Sequence, residues 1–244
     1  MKTRTIEQFI DDIAQHYPPQ TKVNRNLEDL QYIEFNKNEC FFVWDVRLGE
    51  MLFNKGFENL LGYPDDEINL AKFGELFHPD DKEYAYRLGQ AAVLHSIKRP
   101  ELNEELCLYV SHRIRKANGT YIKILAQSSP YHIDNEGLIT SFLVKLSDIS
   151  FVDTSDVVQY KFMTNDLDSE LFHDLVFEKH KAIFTPRELE IIREIEKGHS
   201  SSQIAKNLVI SKHTVATHRK KIYKKSGCYS AQELLQFCRK NGVS

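Results

Sequence analysis

Ser211-Lys212-His213-Thr214-Val215-Ala216-Thr217-His218-Arg219-Lys220-Lys221-Ile222-Tyr223-Lys224-Lys225 is a helix built on one apolar stripe. Ser211 is a good N-cap, with Thr214 three residues on, and Val215, His218 and Ile222 recur at helical spacing on one face. Lys212, Arg219, Lys220, Lys221 and Lys224 occupy the remaining faces, and the run holds no acid. Such a helix turns its apolar side to its own domain and its cationic side to a polyanion. A charge run alone is often just a solvated face, so the flanking residues decide the reading.

Those flanks are punctuated. Thr185-Pro186-Arg187-Glu188 is a capping box with proline at the first helical position. Leu189, Ile192 and Ile195, widened by Ile191, make the apolar stripe of that helix, and Gly198 ends it. Ser200-Ser201-Ser202-Gln203 is a second capping box, opening a short helix through Ile204, Ala205 and Leu208. Ser230-Ala231-Gln232-Glu233 is a third, and its helix buries Leu234, Leu235 and Phe237 before Gly242. Four helices on short turns predict an all-α helix-turn-helix unit, whose second motif helix enters the DNA major groove.

The run Phe184 to Glu188, then Gly198, Ser200, Ile204-Ala205, Leu208, Ile210-Ser211, Thr214-Val215, His218, Ile222 and Lys225 resembles the LuxR-type DNA-binding domain, with unbroken spacing from Phe184 to about Lys240. Ala216 stands where that family often has lysine, and Ser226 where it usually has an apolar residue. The resemblance implies that Ala216, Thr217 and Lys220 read bases. It likewise implies that Ser200, Lys212, His213, Arg219, Lys221 and Lys224 hold phosphates. Its implied partners are duplex DNA and a second copy of the chain, contacted through Ser230 to Lys240, with RNA polymerase as a further one. His218, in line with Val215 and Ile222, reads as a packing or hydrogen-bonding residue rather than a base reader.

The 244 residues are 41% hydrophobic and 27% charged, ordinary values for a globular protein of one or two domains. The net charge of −3 conceals an asymmetry. Residues 184–244 carry 12 Lys and Arg against 5 Asp and Glu, a formal +7; from totals of 32 and 35 this leaves 20 against 30 upstream, a formal −10. A basic module attached to an acidic one fits DNA binding by the first alone, and the acidic part is a candidate mask for the basic face. Cys40, Cys107, Cys228 and Cys238 have no metal-ligand spacing, so buried reduced thiols are expected. No apolar run reaches membrane-span length, and the N-terminus lacks the apolar centre of a signal peptide; the expected location is the cytoplasm, with no membrane partner.

Upstream, a helical segment fills 1–35: Thr5 to about Gln15, stopped near Pro18-Pro19, and Asn26 to Phe35. These helices read as covers for an apolar surface or as a subunit contact. From Cys40 the pattern becomes strand, turn and strand (Cys40 to Asp45, then Met51 to Asn54), followed by Phe57 to Leu61 and a single turn after Pro64. A longer helix opens at His78-Pro79-Asp80-Asp81 and runs to Ile97. Strands follow at Leu106 to Arg115, Tyr121 to Ile133 and Leu138 to Leu146, joined by Asn118-Gly119 and Asn135-Glu136-Gly137. This is an α+β domain with an antiparallel sheet and flanking helices. The order of elements, with Asn54 through Gly62-Tyr63, His78 to Asp81 and Asp148-Ile149-Ser150, resembles a PAS domain over 36–150. That resemblance implies a cavity sensing a small ligand or a partner. Phe41, Phe42, Trp44 and Tyr109 read as core. His78 reads as part of its turn and His95 as helix surface, so neither is taken as a haem ligand. No cofactor is assigned, though an unidentified small ligand in this domain is allowed for.

Residues 151–183 read as a structured connector, with a strand in Val157 to Met163 and a helix in Leu171 to His180, leaving 184–244 to bind DNA. The leading function is a DNA-binding transcription regulator whose PAS-like domain controls dimeric operator binding through 211–225. Two alternatives stand beside it. One is a phosphorylation-controlled response regulator, which needs a parallel receiver sheet; the other uses the PAS-like domain only for dimerisation. An enzyme is not expected: Asp65-Asp66 and Asp80-Asp81 sit at helix starts, where the helix dipole favours them, and no catalytic motif is present.

Overall fold

The structure, a computed structural model, describes residues 5–17, 27–164, 169–181, 183–241 and 243. It divides into two compact units between Phe172 and His173.

The first unit is organised by an antiparallel sheet. Its strands are β1 (Glu39–Asp45), β2 (Glu50–Lys55), β3 (Cys107–Arg115), β4 (Tyr121–Ile133), β5 (Ile139–Asp148) and β6 (Gln159–Met163), in spatial order β2-β1-β5-β4-β3-β6. The period-two alternation of β1 sends Phe42 and Trp44 into the main core, while Phe41 and Val43 pack with Leu30 on the opposite face. Gly119 (φ 86°) and Gly137 (φ 81°) make the two turns of the β3-β4-β5 meander in a conformation L side chains resist. Register slips between Pro130 and His132 in β4, because proline has no N–H for the ladder. The sixth strand lies in the stretch expected to be a connector; it pairs with β3 from Cys107↔Met163 to Ser111↔Gln159.

Helices cover one face. These are α1 (Ile6–Ala14), α2 (Phe57–Leu61), α3 (Leu70–Leu76) and α4 (Pro79–Lys98). The seven residues of α3 pass unnoticed by periodicity, yet Asn69 caps Lys72 N at 2.9 Å and Leu70, Phe73 and Leu76 are buried. A chain of rings runs through this core: Phe42–Phe73 at 5.0 Å, Phe73–Phe77 at 5.2 Å, Phe77–Tyr86 at 5.4 Å and Tyr86–Phe9 at 5.1 Å. Each such burial contributes about 1.5–3 kcal/mol. The capping box of Thr5 and Gln8 starts α1, which buries Ile6, Phe9 and Ile13 against this cluster. Gly49 (φ 63°) lets it approach: a Cβ there would lie 2.3 Å from Ile10 Cγ2. The helix expected over Asn26 to Phe35 is instead a 3-10 turn, Glu28–Tyr32, in which only Leu30 is buried; it has no side-chain cap, and Asn26, like Pro18 and Pro19, lies outside the described residues.

After β5 the chain is strapped to the sheet. Lys123, 4% exposed, donates to Val157 O (2.6 Å) and Ser155 O (3.1 Å). Arg113 grips the fully buried Asp81 with Nη2 (2.7 Å) and Nε (3.0 Å), and reaches Asp156 with Nη1 at 2.8 Å. Helix α5 (Ser169–Lys181) begins in this unit, where Phe172 stacks on Phe162 of β6 at 3.9 Å. This corrects one expectation: His95 is fully buried, not on a helix surface, with its ring 4.8 Å from Phe162. His78 caps α4, its Nδ1 accepting from Asp80 N at 3.3 Å.

The second unit holds α6 (Pro186–Glu196), α7 (Ser201–Asn207), α8 (Lys212–Ser226) and α9 (Ala231–Asn241) around Ile191, Ile192, Ile204, Val215, Ile222 and Leu234. The first two open with complete capping boxes on Thr185 and Ser200, and Ser211 caps the third. Gly198 (φ 77°) ends α6 in a Schellman motif, His199 N donating to Glu194 O at 3.1 Å. A matching motif ends α7, Ile210 N donating to Ala205 O at 3.0 Å, but Val209 (φ 54°) takes the left-handed position.

Candidate nucleic-acid interface

Ser211 accepts from Thr214 N at 3.0 Å and starts α8 with the register the sequence implies. Val215 and Ile222 are fully buried, so the opposite arc, at about 100° per residue, faces outward. Lys212, His213, Ala216, Thr217, Lys220, Lys221 and Lys224 all lie exposed there. Lys212, Lys220, Lys221 and Lys224 have no ion pair among the described residues, and α8 contains no carboxylate. Thr217 Oγ1 donates to His213 O at 3.0 Å, which leaves its lone pairs to accept. Seven residues within four turns thus present four unpaired ammonium groups on one surface.

The remaining candidates are more constrained. Ser200 is exposed, but its hydroxyl serves the cap: it donates to Gln203 Oε1 (2.8 Å) and accepts from Gln203 N (3.4 Å). Arg219 is half-buried, its guanidinium 5.8 Å from the Tyr223 ring centre and bonded to Tyr223 Oη (3.0 Å) and Ser201 Oγ (3.4 Å). It therefore joins α8 to α7 as well as standing beside the basic arc. His218 is half-buried, and its Nδ1 is buried without a hydrogen-bond partner among the described residues, in keeping with a packing position.

Contacts that orient this helix were not legible in its own sequence. Lys225 Nζ donates to Glu188 Oε2 at 2.6 Å, so this lysine fastens α8 to α6. Burial raises the Glu188 carboxyl, but the bonds from Lys225 and from Thr185 outweigh it and hold it below its usual range. Arg187 ion-pairs with Glu190 and donates to Leu208 O at 2.9 Å, anchoring the turn before α8. Glu194 accepts from Asn207 (2.7 Å), Lys197 (2.8 Å) and His199 (2.9 Å), bonds that hold its pKa down to about 2.

A second candidate site lies in the first unit, between the sheet and its helices. It is a pocket of about 110 Å³ whose walls include Phe9, Phe42, Trp44, Phe77, His112 and Val144. Two of the aromatics expected as plain core, Phe42 and Trp44, therefore border open space; Phe41 packs on the opposite sheet face. Among the described residues no group of three His, Cys, Asp or Glu is placed to hold a metal, and no helix is long and apolar enough to cross a membrane.

Residues 182–238 match bacterial regulatory proteins of the luxR family, and residues 50–143 match the PAS fold. No curated protein matches the chain. Among solved structures, phage VqmA in complex with DPO is 16% identical over 89% of this chain and 88% of that one, with a TM-score of 0.34. Vibrio cholerae VqmA, as a dimer without target DNA, is 14% identical over 90% of this chain and 89% of that one, with a TM-score of 0.31. The N-terminal domain of a diguanylate cyclase with PAS/PAC sensor from Marinobacter aquaeolei is 18% identical over 46% and 96%, with a TM-score of 0.36.

Proposed function

For a chain that carries a PAS fold over 50–143 and a DNA-binding region of the luxR family of bacterial regulatory proteins over 182–238, we propose a cytoplasmic, non-enzymatic transcription regulator that binds its operator as a homodimer. The observation that carries this is the acid-free arc of α8, with four exposed lysines around Ala216 and Thr217 that have no ion pair among the described residues. Lys220 and Thr217 read base edges, with Ala216 packing against them; Lys212, His213, Lys221, Lys224, Arg219 and the Ser200 region hold the phosphates of the two strands. Phosphate neutralisation by these cations supplies sequence-independent affinity and makes binding fall with salt. Helix α9 contributes to the contact between copies, and RNA polymerase is the downstream partner.

The first unit senses a small ligand in its pocket, and occupancy alters operator binding. An antiparallel sheet does not support a receiver domain with its parallel strands, and an open pocket favours sensing over dimerisation alone. Selection from a random duplex pool tests the proposal. Enriched sequences should contain two related half-sites one helical turn, about 10 bp, or a multiple of it apart. Tight binding with no enriched motif would contradict it.

A further inference from the structure

Among the described residues, the pocket walls carry no ionised group. Of the described lining residues, Trp44, Tyr86, His112 and Ser128 carry polar side-chain atoms, and the other side chains are hydrocarbon. The Tyr86 hydroxyl is already engaged, donating to Gly74 O at 3.3 Å. His112 is 2% exposed and stacks on Phe77 with ring centres 4.4 Å apart at 11°. Burial pushes its pKa down to about 4, against the opposing pull of the Arg113 carbonyl and Asp81, so the imidazole is neutral at pH 7. Its Nδ1 lies 3.4 Å from Arg113 O. A carbonyl oxygen only accepts, so Nδ1 carries the proton and Nε2 keeps its lone pair.

We propose that this pocket takes a small uncharged molecule of about benzene's size that donates one hydrogen bond to Nε2 of His112. This rests on the sensor reading above and specifies its ligand class. Size follows from the volume of about 110 Å³: an apolar cavity of roughly 150 Å³ accommodates benzene, whereas a flavin or haem needs several times more. Neutrality follows from the walls, since an ion entering them would lose its hydration with no counter-charge in return. The donor follows from the imidazole tautomer. Ile6, Phe9 and Ile10 of α1 complete the wall from outside the span 50–143 that matches the PAS fold.

Phenol, toluene and benzoate separate these requirements. Phenol and toluene have the same heavy-atom count and differ in the donor; benzoate adds charge. Calorimetry on the full chain should show saturable phenol binding, several-fold tighter than toluene, and no benzoate binding at pH 7. Nitrogen NMR of labelled histidine should find His112 protonated at Nδ1, with its Nε2 resonance moving towards hydrogen-bonded values as phenol is added. His112→Phe, which keeps the stack on Phe77, should bind both neutral probes alike. A proton on Nε2 in the free protein, equal phenol and toluene affinity in the wild type, preferred benzoate binding, or no binding of any probe would each overturn the ligand class. None of these sinks the sensor reading, which fails if no pocket ligand changes operator affinity.

Discussion

Val209 holds a left-handed backbone (φ 54°) in the turn between α7 and α8 while its side chain is 89% exposed. A β-branched residue is disfavoured there, by about 1–2 kcal/mol, and an exposed side chain returns no packing. Val209→Gly should therefore stabilise the second unit by about 1 kcal/mol after the added freedom of the unfolded glycine is subtracted. Slower hydrogen exchange at the α7 and α8 amides would register it; faster exchange would show that valine is not strained. At the same scale, Glu194 imposes a pH limit. Its three donors, Asn207 foremost, hold its pKa at about 2 against a usual 4.5. A carboxyl depressed by folding contributes stability that is full above its unfolded pKa and lost as pH falls through the folded one. Acid titration of the second unit should accordingly show a loss between about pH 4.5 and 2 that Glu194→Gln lacks, and identical acid limbs would contradict the assignment.

Between elements, the lysines of α8 divide by partner. Lys225 closes on Glu188, which is 2% exposed, whereas Lys220 and Lys224 are exposed and have no ion pair among the described residues. Lys225→Met should cost about 1–2 kcal/mol of stability, by leaving a buried carboxylate half-satisfied, and leave the salt dependence of DNA binding unchanged. Denaturant melts and affinities at several salt concentrations together check this; a flatter salt slope would make Lys225 a phosphate contact instead. The sequence showed Lys225 only as a residue of the family resemblance, because its partner lies 37 residues away. Helices α6 to α8 were legible because each begins with a side-chain cap that local spacing reveals. Helix α3 was not: seven residues hold too few turns for a periodic signal, and only Asn69 marks it. The full burial of His95 was equally hidden, since it depends on β6 crossing back to pair with β3.

Across the whole molecule, the charge asymmetry and the order of elements made both folds readable, since each rests on local signals: caps in one unit, Asn-Gly and Gly turns in the other. The pocket was not readable, because its walls come from α1, α3, α4 and four strands, and a cavity is a property of packing rather than of any stretch. One experiment asks directly whether α8 reads duplex DNA. Binding of the full chain to a selected operator and to a scrambled duplex is followed across salt concentrations for the wild type, Lys220→Ala and Lys224→Ala. Lys220→Ala should lose about 1–3 kcal/mol on the operator and relax one base preference. Lys224→Ala should weaken both duplexes alike and lower the salt slope by about one ion. If both variants bind both duplexes as the wild type does at every salt concentration, α8 is not the recognition helix.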